Sequence, residues 1–449
     1  MTIRLFRIAF TCTVCTILVF GCEKPLRAPH LRDADNRIVI YHGVNVSNYS
    51  KYSADFLPWQ TKDDFARLNN WGFNVVRYLV FWEAIEPQEG VYDEEYLDAT
   101  VERIGWLEEL GIDVIVDLHQ DLYSGRYGGD GFPDWAINDN GEPFTPQEPW
   151  NLNYLQPAVI ACFNNFWASD ALKAKYVNMV EHLLNRVDDL PNVIGLDIMN
   201  EPYGADDVHF EQTTLSRFYR DVQDMHTENG FDTPLYFEPR ILTSGGLKTN
   251  LAFNPQEGSV YAPHYYELLS QFGLGYPETS KLWTERAVKM RVDDARAFGT
   301  PLFFGEFGIH GTADSDYNYL NDLLELFDYY QIGWAYWSYD VAHEGGYGLI
   351  DDNGDETTTL QIIVRMYPQR IAGDDPEWSL GEQSFDLTYT ANDSSAPTVI
   401  FVPMGLASVQ VWQNGQAISY DNISRYLSIP NVGGAGTKQT IHIEWSQPG

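Results

Sequence analysis

Two glutamates each close a short apolar run, in Met199-Asn200-Glu201-Pro202 and in Gly305-Glu306-Phe307-Gly308. Similar runs end in or carry other polar groups: Arg77, then Asp117-Leu118-His119-Gln120-Asp121, His264-Tyr265-Tyr266 and Trp337-Ser338-Tyr339-Asp340. Singly each is a weak signal, because strand ends are often polar. Two carboxyls facing one cleft have a definite chemistry. One protonates a leaving oxygen while the other attacks the anomeric carbon of a sugar, and the first then deprotonates the water that releases it. That chemistry calls for no cofactor and no metal. The chain has no H-E-x-x-H, and its one C-x-x-C pair, Cys12 with Cys15, falls in the apolar stretch at the start of the chain. The run Asp351-Asp352-Asn353-Gly354-Asp355 lacks the closing glutamate of a calcium loop and reads as an Asx-rich turn.

The elements that must position these groups alternate. Apolar, β-branched runs at 38–46, 74–79, 113–118, 193–199, 235–238, 259–262, 302–305 and 333–338 read as strands buried on both faces. Amphipathic stretches at 96–110, 172–187, 210–227, 282–297 and 317–329 read as helices between them. Eight strands alternating with helices predict an α/β fold, a (β/α)8 TIM barrel over 37–373. An open doubly wound sheet is the alternative, but no G-x-G-x-x-G follows the first run. In such a barrel the catalytic groups stand at the C-terminal ends of the strands, and strands four and seven lie roughly opposite each other. The segment 122–167 is a long Gly/Pro/aromatic insertion, and its aromatics argue against disorder. Beyond 373 the helical period disappears. Short runs broken by Gly, Pro, Asn and Asp predict a C-terminal antiparallel β-sandwich over 374–449.

Acidic residues number 64 against 28 basic, a net charge of −36. Such a field excludes nucleic acid as a partner. At the start, Arg4 and Arg7 precede the apolar stretch 8–21, which ends at Cys22. The stretch is short for a membrane span but suits an export signal over 1–21. Val19-Phe20-Gly21-Cys22 is similar to a bacterial lipoprotein cleavage site, which implies lipidation of Cys22, a tether over 22–36 and a place in the cell envelope or outside it. With Cys12 and Cys15 inside the signal, only Cys162 would remain as a thiol.

The series Arg77, His119, Asn200-Glu201-Pro202, His264 with Tyr266, Glu306 and Trp337, in this order on successive strands, resembles glycoside hydrolase family five. A narrower resemblance follows from 117–125 (DLHQDLYSG), Gln156-Pro157 leading to 163–167 (FNNFW), 199–204 (MNEPYG) and 336–340 (YWSYD). These are similar to endoglycoceramidases, which cut between the oligosaccharide and the ceramide of glycosphingolipids. The resemblance implies Glu201 as acid/base and Glu306 as nucleophile. It implies that Asn200 bonds the sugar 2-hydroxyl and that Tyr266 and Arg77 hold Glu306; His264 belongs to the same pattern as a supporting residue, the plainer reading being that it only buttresses Tyr266. It further implies that Lys51, His119 and Asp121 bind sugar hydroxyls and that Trp337 is the sugar platform. The apolar loop 265–276, with Leu268, Leu269, Phe272 and Leu274, would suit a lipid aglycone or else pack on a neighbouring helix. Two rival readings stand beside this one. The first is a hydrolase of single-sugar glycolipids, glucosylceramide or steryl glucosides. The second is a lipid-anchored sugar-binding protein without turnover, which the intact glutamate pair opposes.

Overall fold

The computed structural model describes residues 25–204, 209–343, 346–421 and 425–446. The stretch expected as an export signal, and Cys22, lie outside the described residues. Eight parallel strands form one sheet: β1 (His42–Val46), β2 (Val75–Val80), β3 (Asp113–Leu118), β4 (Val193–Asp197), β5 (Leu235–Phe237), β6 (Val260–Tyr261), β7 (Phe303–Phe304) and β8 (Gly333–Tyr336). The order runs from β6 back through β1 to β8 and β7, and a parallel bridge between Tyr261 and Leu302 closes the ring. This is the predicted TIM barrel. Its strands are continuous apolar runs because the helices cover their outer face and side chains fill the interior. Gly43 permits the close approach of β1 to β2: a Cβ there would lie 2.0 Å from the carbonyl oxygen of Val75.

Sequence sets the helix ends. In α1 (Lys62–Trp71), Thr61 and Asp64 make a reciprocal capping box, and Gly72 ends the helix at φ +75°. Phe65, Leu68 and Trp71 recur on one face and are buried against the barrel, each worth ~1.5–3 kcal/mol of apolar transfer. The same logic runs through α2 (Glu94–Glu109), α3 (Pro157–Ala168), α4 (Asp170–Val187), α5 (Ser216–Asn229), α6 (Glu278–Phe298) and α7 (Asp314–Tyr330). The insertion 122–167 contains α3 and packs as an aromatic core of its own. Tyr123 stacks on Phe132 at 4.1 Å, and Phe132 meets Phe166 edge-on at 4.9 Å. The predicted helix at 210–227 opens instead with a π-turn, Glu211–Leu215.

The chain ends in two antiparallel sheets. One comprises β10 (Gly373–Leu380), β11 (Ser384–Ala391), β13 (Ala407–Gln413), β14 (Gln416–Ile418) and β16 (Lys438–Ser446). The other contains β9 (Tyr367–Ile371), β12 (Thr398–Phe401) and β15 (Tyr426–Ile429), and it recruits Ile38–Val39 and Leu31–Arg32 from the start of the described chain. The predicted run 38–46 is therefore two strands in two sheets. Ile38 and Val39 pair with Ile371 and Arg370, and the chain enters the barrel only at His42. Arg27, within the stretch expected as a tether, is ion-paired with Glu377 at 2.7 Å. The sandwich sits under the N-terminal ends of the barrel strands: Tyr367 donates to the carbonyl of Gly72, and Arg370 pairs with Asp113.

Candidate active site

At the opposite end of the barrel the polar strand ends converge on Arg77, which is fully buried. Its guanidinium reaches Oε1 of Glu306 at 2.8 Å, Asp117 at 2.8 Å, Asp197 at 2.9 Å and Glu238 at 3.0 Å. It also donates to Asn45 and to the side-chain oxygen of Asn200. A buried cation is stable only when paired and hydrogen-bonded, and here every face of the group meets an acceptor. Burial, together with the neighbouring Glu238, raises the Asp197 carboxyl well above the usual carboxylate range against the pull of Arg77.

Glu306, two residues beyond β7, is gripped on both oxygens. Arg77 takes Oε1, and the hydroxyl of Tyr266 donates to Oε2 at 2.9 Å. Burial, reinforced by the Glu306 carboxylate, raises Tyr266 well above the ordinary phenol range and keeps its O–H as a donor. Glu201 follows the end of β4 with φ +43°, in the left-handed region that non-glycine residues avoid. Its Oε1 accepts from Ser244 at 2.9 Å and faces Nδ1 of His264 at 3.0 Å. Burial raises the Glu201 carboxyl against the pull of His264, and the Glu306 charge adds to the rise. Burial works to lower His264, but Glu238, Glu306 and Glu201 outweigh it and hold the imidazole well above its ordinary value. The structure thus brings the two glutamates together: one oxygen of each lies, with Nδ1 of His264, in a group spanning no more than 4.8 Å.

A second cluster lines the same cleft. Lys51 is ion-paired with Asp121 and lies 3.5 Å from Asp130. Its ammonium stands over Trp337 at 5.2 Å and Trp150 at 5.8 Å, a cation–π arrangement. Trp337 in turn stacks on His119 with the rings 5.4 Å apart and 12° from parallel. Nδ1 of His119 bonds Asp117 at 2.7 Å; although burial opposes it, this pairing pushes the imidazole up to about 10. Tyr154 donates to Asp121 at 2.9 Å. Both trios of potential metal ligands, His119–Asp121–Asp130 and Glu201–His264–Glu306, already hold a cation of the chain's own, Lys51 in the first and Arg77 beside the second.

The family model for Cellulase (glycosyl hydrolase family 5) matches residues 33–343. This chain belongs to glycosyl hydrolase family 5. The glycosidase has similar relatives over most of its length. Endoglycoceramidase I of Rhodococcus hoagii (strain 103S) is 30% identical, over 83% of this chain and 78% of the relative. Endo-glycoceramidase II from Rhodococcus sp. superposes with a TM-score of 0.86 as its ganglioside GM3 complex, at 29% identity, covering 93% of this chain and 99% of that one. As its lactosyl-enzyme intermediate the TM-score is 0.83 at 30% identity, with the same coverage. A glucosylceramidase of Rhizopus delemar is 32% identical over 38% of this chain and 34% of its own.

All the predicted residues from Lys51 to Trp337 lie in this one region. Glu238, Asp197, Asp130, Ser244 and Tyr154 were not singled out in the sequence. Asp197 and Glu238 sit within or at the end of apolar runs that read as strand, and Asp130 hides among the glycines of the insertion. The one available signal was a carboxylate inside an apolar run, which must find a cation once buried.

Proposed function

We propose that this glycosidase hydrolyses the bond between oligosaccharide and ceramide in glycosphingolipids by double displacement. Glu306 attacks the anomeric carbon and Glu201 protonates the leaving oxygen. Glu201 then takes a proton from water, which breaks the glycosyl–enzyme bond and returns both groups to their starting state. The observation that carries the reading is the unequal setting of the two carboxyls. Glu306 is ion-paired with Arg77, as a nucleophile requires, while burial lifts Glu201 towards the protonated state an acid requires. Tyr266 and Arg77 hold Glu306, and Asn200 bonds the sugar 2-hydroxyl. His264 serves Glu201 rather than Tyr266. Lys51, His119, Asp121 and Asp130 bind sugar hydroxyls over the Trp337 platform.

The substrate class is supported by the relatives' names and by a surface beside the cleft. Leu268, Leu269, Phe272 and Leu274 are 51%, 37%, 46% and 70% exposed rather than packed on a helix. An acyl chain laid on them gains ~0.8 kcal/mol per buried CH2. Export with a lipid on Cys22 belongs to the same proposal, and loss of membrane association in Cys22→Ser tests it. Similarity to a glucosylceramidase supports the single-sugar reading as the rival.

Mass spectrometry of products from a ganglioside, lactosylceramide, glucosylceramide, a steryl glucoside and a β-glucan decides between them. Intact oligosaccharide with free ceramide is expected. Glucose released only from the single-sugar lipids would replace the substrate, and turnover by Glu306→Gln near the wild-type rate would remove the nucleophile assignment.

A further inference from the structure

Glu238 stands directly after β5 and is 1% exposed. Its backbone is pinned from outside the barrel, where the Tyr219 hydroxyl of α5 donates to its carbonyl at 2.7 Å. Inside, the carboxylate faces three nitrogens. Oε2 accepts the backbone N–H of Glu201 at 2.9 Å. Oε1 meets Arg77 at 3.0 Å and Nε2 of His264 at 3.1 Å, the latter an ion pair too bent for a directed hydrogen bond. His264 passes its other nitrogen to the Glu201 side chain. Glu201 is thus held twice through one group: at its peptide directly, and at its carboxyl through His264.

The peptide contact matters because Glu201 has φ +43°. A residue held there is strained, so a surrounding contact must maintain it. The imidazole contact matters because His264 can present a proton to Glu201 only while its own charge is balanced. On the nucleophile side Glu238 is one of many. Without it, Arg77 keeps Asp117, Asp197, Asn45 and Asn200.

We propose that Glu238 is a positioning residue for the general acid, fixing the peptide and the carboxyl of Glu201 while leaving Glu306 to other partners. The inference rests on Glu201 being the acid/base. Its signature is selectivity by leaving group, because help from an acid is needed most where the departing oxygen is a poor leaving group.

The test is kcat/KM of the full chain on aryl and alkyl β-lactosides of graded leaving-group acidity. Wild type is compared with Glu238→Gln and, as reference, Glu201→Gln. For Glu238→Gln we expect a loss of about a hundredfold on the alkyl glycoside and a much smaller loss on the dinitrophenyl glycoside. Labelling of Glu306 by an activated 2-fluoro sugar should persist. Equal losses across the series, or none, overturn the proposal. If Glu238→Gln does not fold, Glu238→Asp, which keeps the charge and withdraws it from the Glu201 peptide, must show the same graded loss, and a flat response from it is equally fatal. If Glu201→Gln itself is insensitive to the leaving group, the acid/base reading fails first and takes Glu238 with it. A graded Glu201→Gln beside a flat Glu238→Gln sinks Glu238 alone.

Discussion

The phenol of Tyr266 donates to Oε2 of Glu306 at 2.9 Å, on the oxygen opposite the one Arg77 holds. Its own backbone N–H donates to the carbonyl of Ser244, whose hydroxyl bonds Glu201. A single loop contact therefore registers both carboxyls against each other. A hydrogen bond to a charged group contributes ~1.5–3 kcal/mol, so Tyr266→Phe should lower kcat by about ten- to a hundredfold. A kcat within twofold of wild type would show that the phenol does not orient Glu306.

Gly305 has no side chain because His264 needs the space. A Cβ there would fall 2.8 Å from Nε2 and 3.1 Å from Cδ2 of a ring that is itself buried. Gly305→Ala should push the imidazole off Glu201 and cost more than about tenfold in kcat/KM, since small misplacements at a reacting centre are expensive. Circular dichroism and kinetics on the purified variant check this. Unchanged kinetics would mean the ring is free to retreat.

Asp340 gives the stability profile a pH dependence of known sign. Burial pushes its carboxyl up to about 6, against donors from Ser338, Asn48, Tyr49 and Trp59. A folded-state value above the ordinary 3.8 means that the folded chain binds this proton more tightly. The contribution is complete below about pH 4 and is lost as pH rises through about 6, a change of roughly 2–3 kcal/mol. Asp340→Asn removes the titration. Urea unfolding at several pH values should show a flatter slope between about pH 4 and 6, whatever the variant's absolute stability. An unaltered slope would assign the titration elsewhere.

The barrel was legible because parallel strands buried on both faces leave continuous apolar runs. The site was legible where a polar residue interrupts such a run at its end, as at Glu201 and Glu306. The register of the first strand was not: Ile38–Val39 and His42–Val46 follow each other with no turn residue such as Pro or Asp between them, and only pairing with residues far along the chain divides them between two sheets. Nor was the support around Arg77. Its bonds to Glu238 and Glu306 span 161 and 229 residues, a closeness created by ring closure and written in no local pattern. Asp130 was missed for a related reason. It meets Lys51 only after the insertion has folded back, through paired backbone bonds between Asp121 and Asp130.

The strand Ile38–Val39 lies between Leu31–Arg32 and Tyr367–Ile371, so residues made early are completed by residues made late. A ribosome that stops short of residue 367 releases a chain with a bare apolar edge just ahead of the barrel's first strand. Such edges attract proteases and chaperones and seed aggregation. Closure of the final sheet thus joins the two ends of the described chain: Ile38–Val39 gains its second neighbour only once residues 370 and 371 are in place.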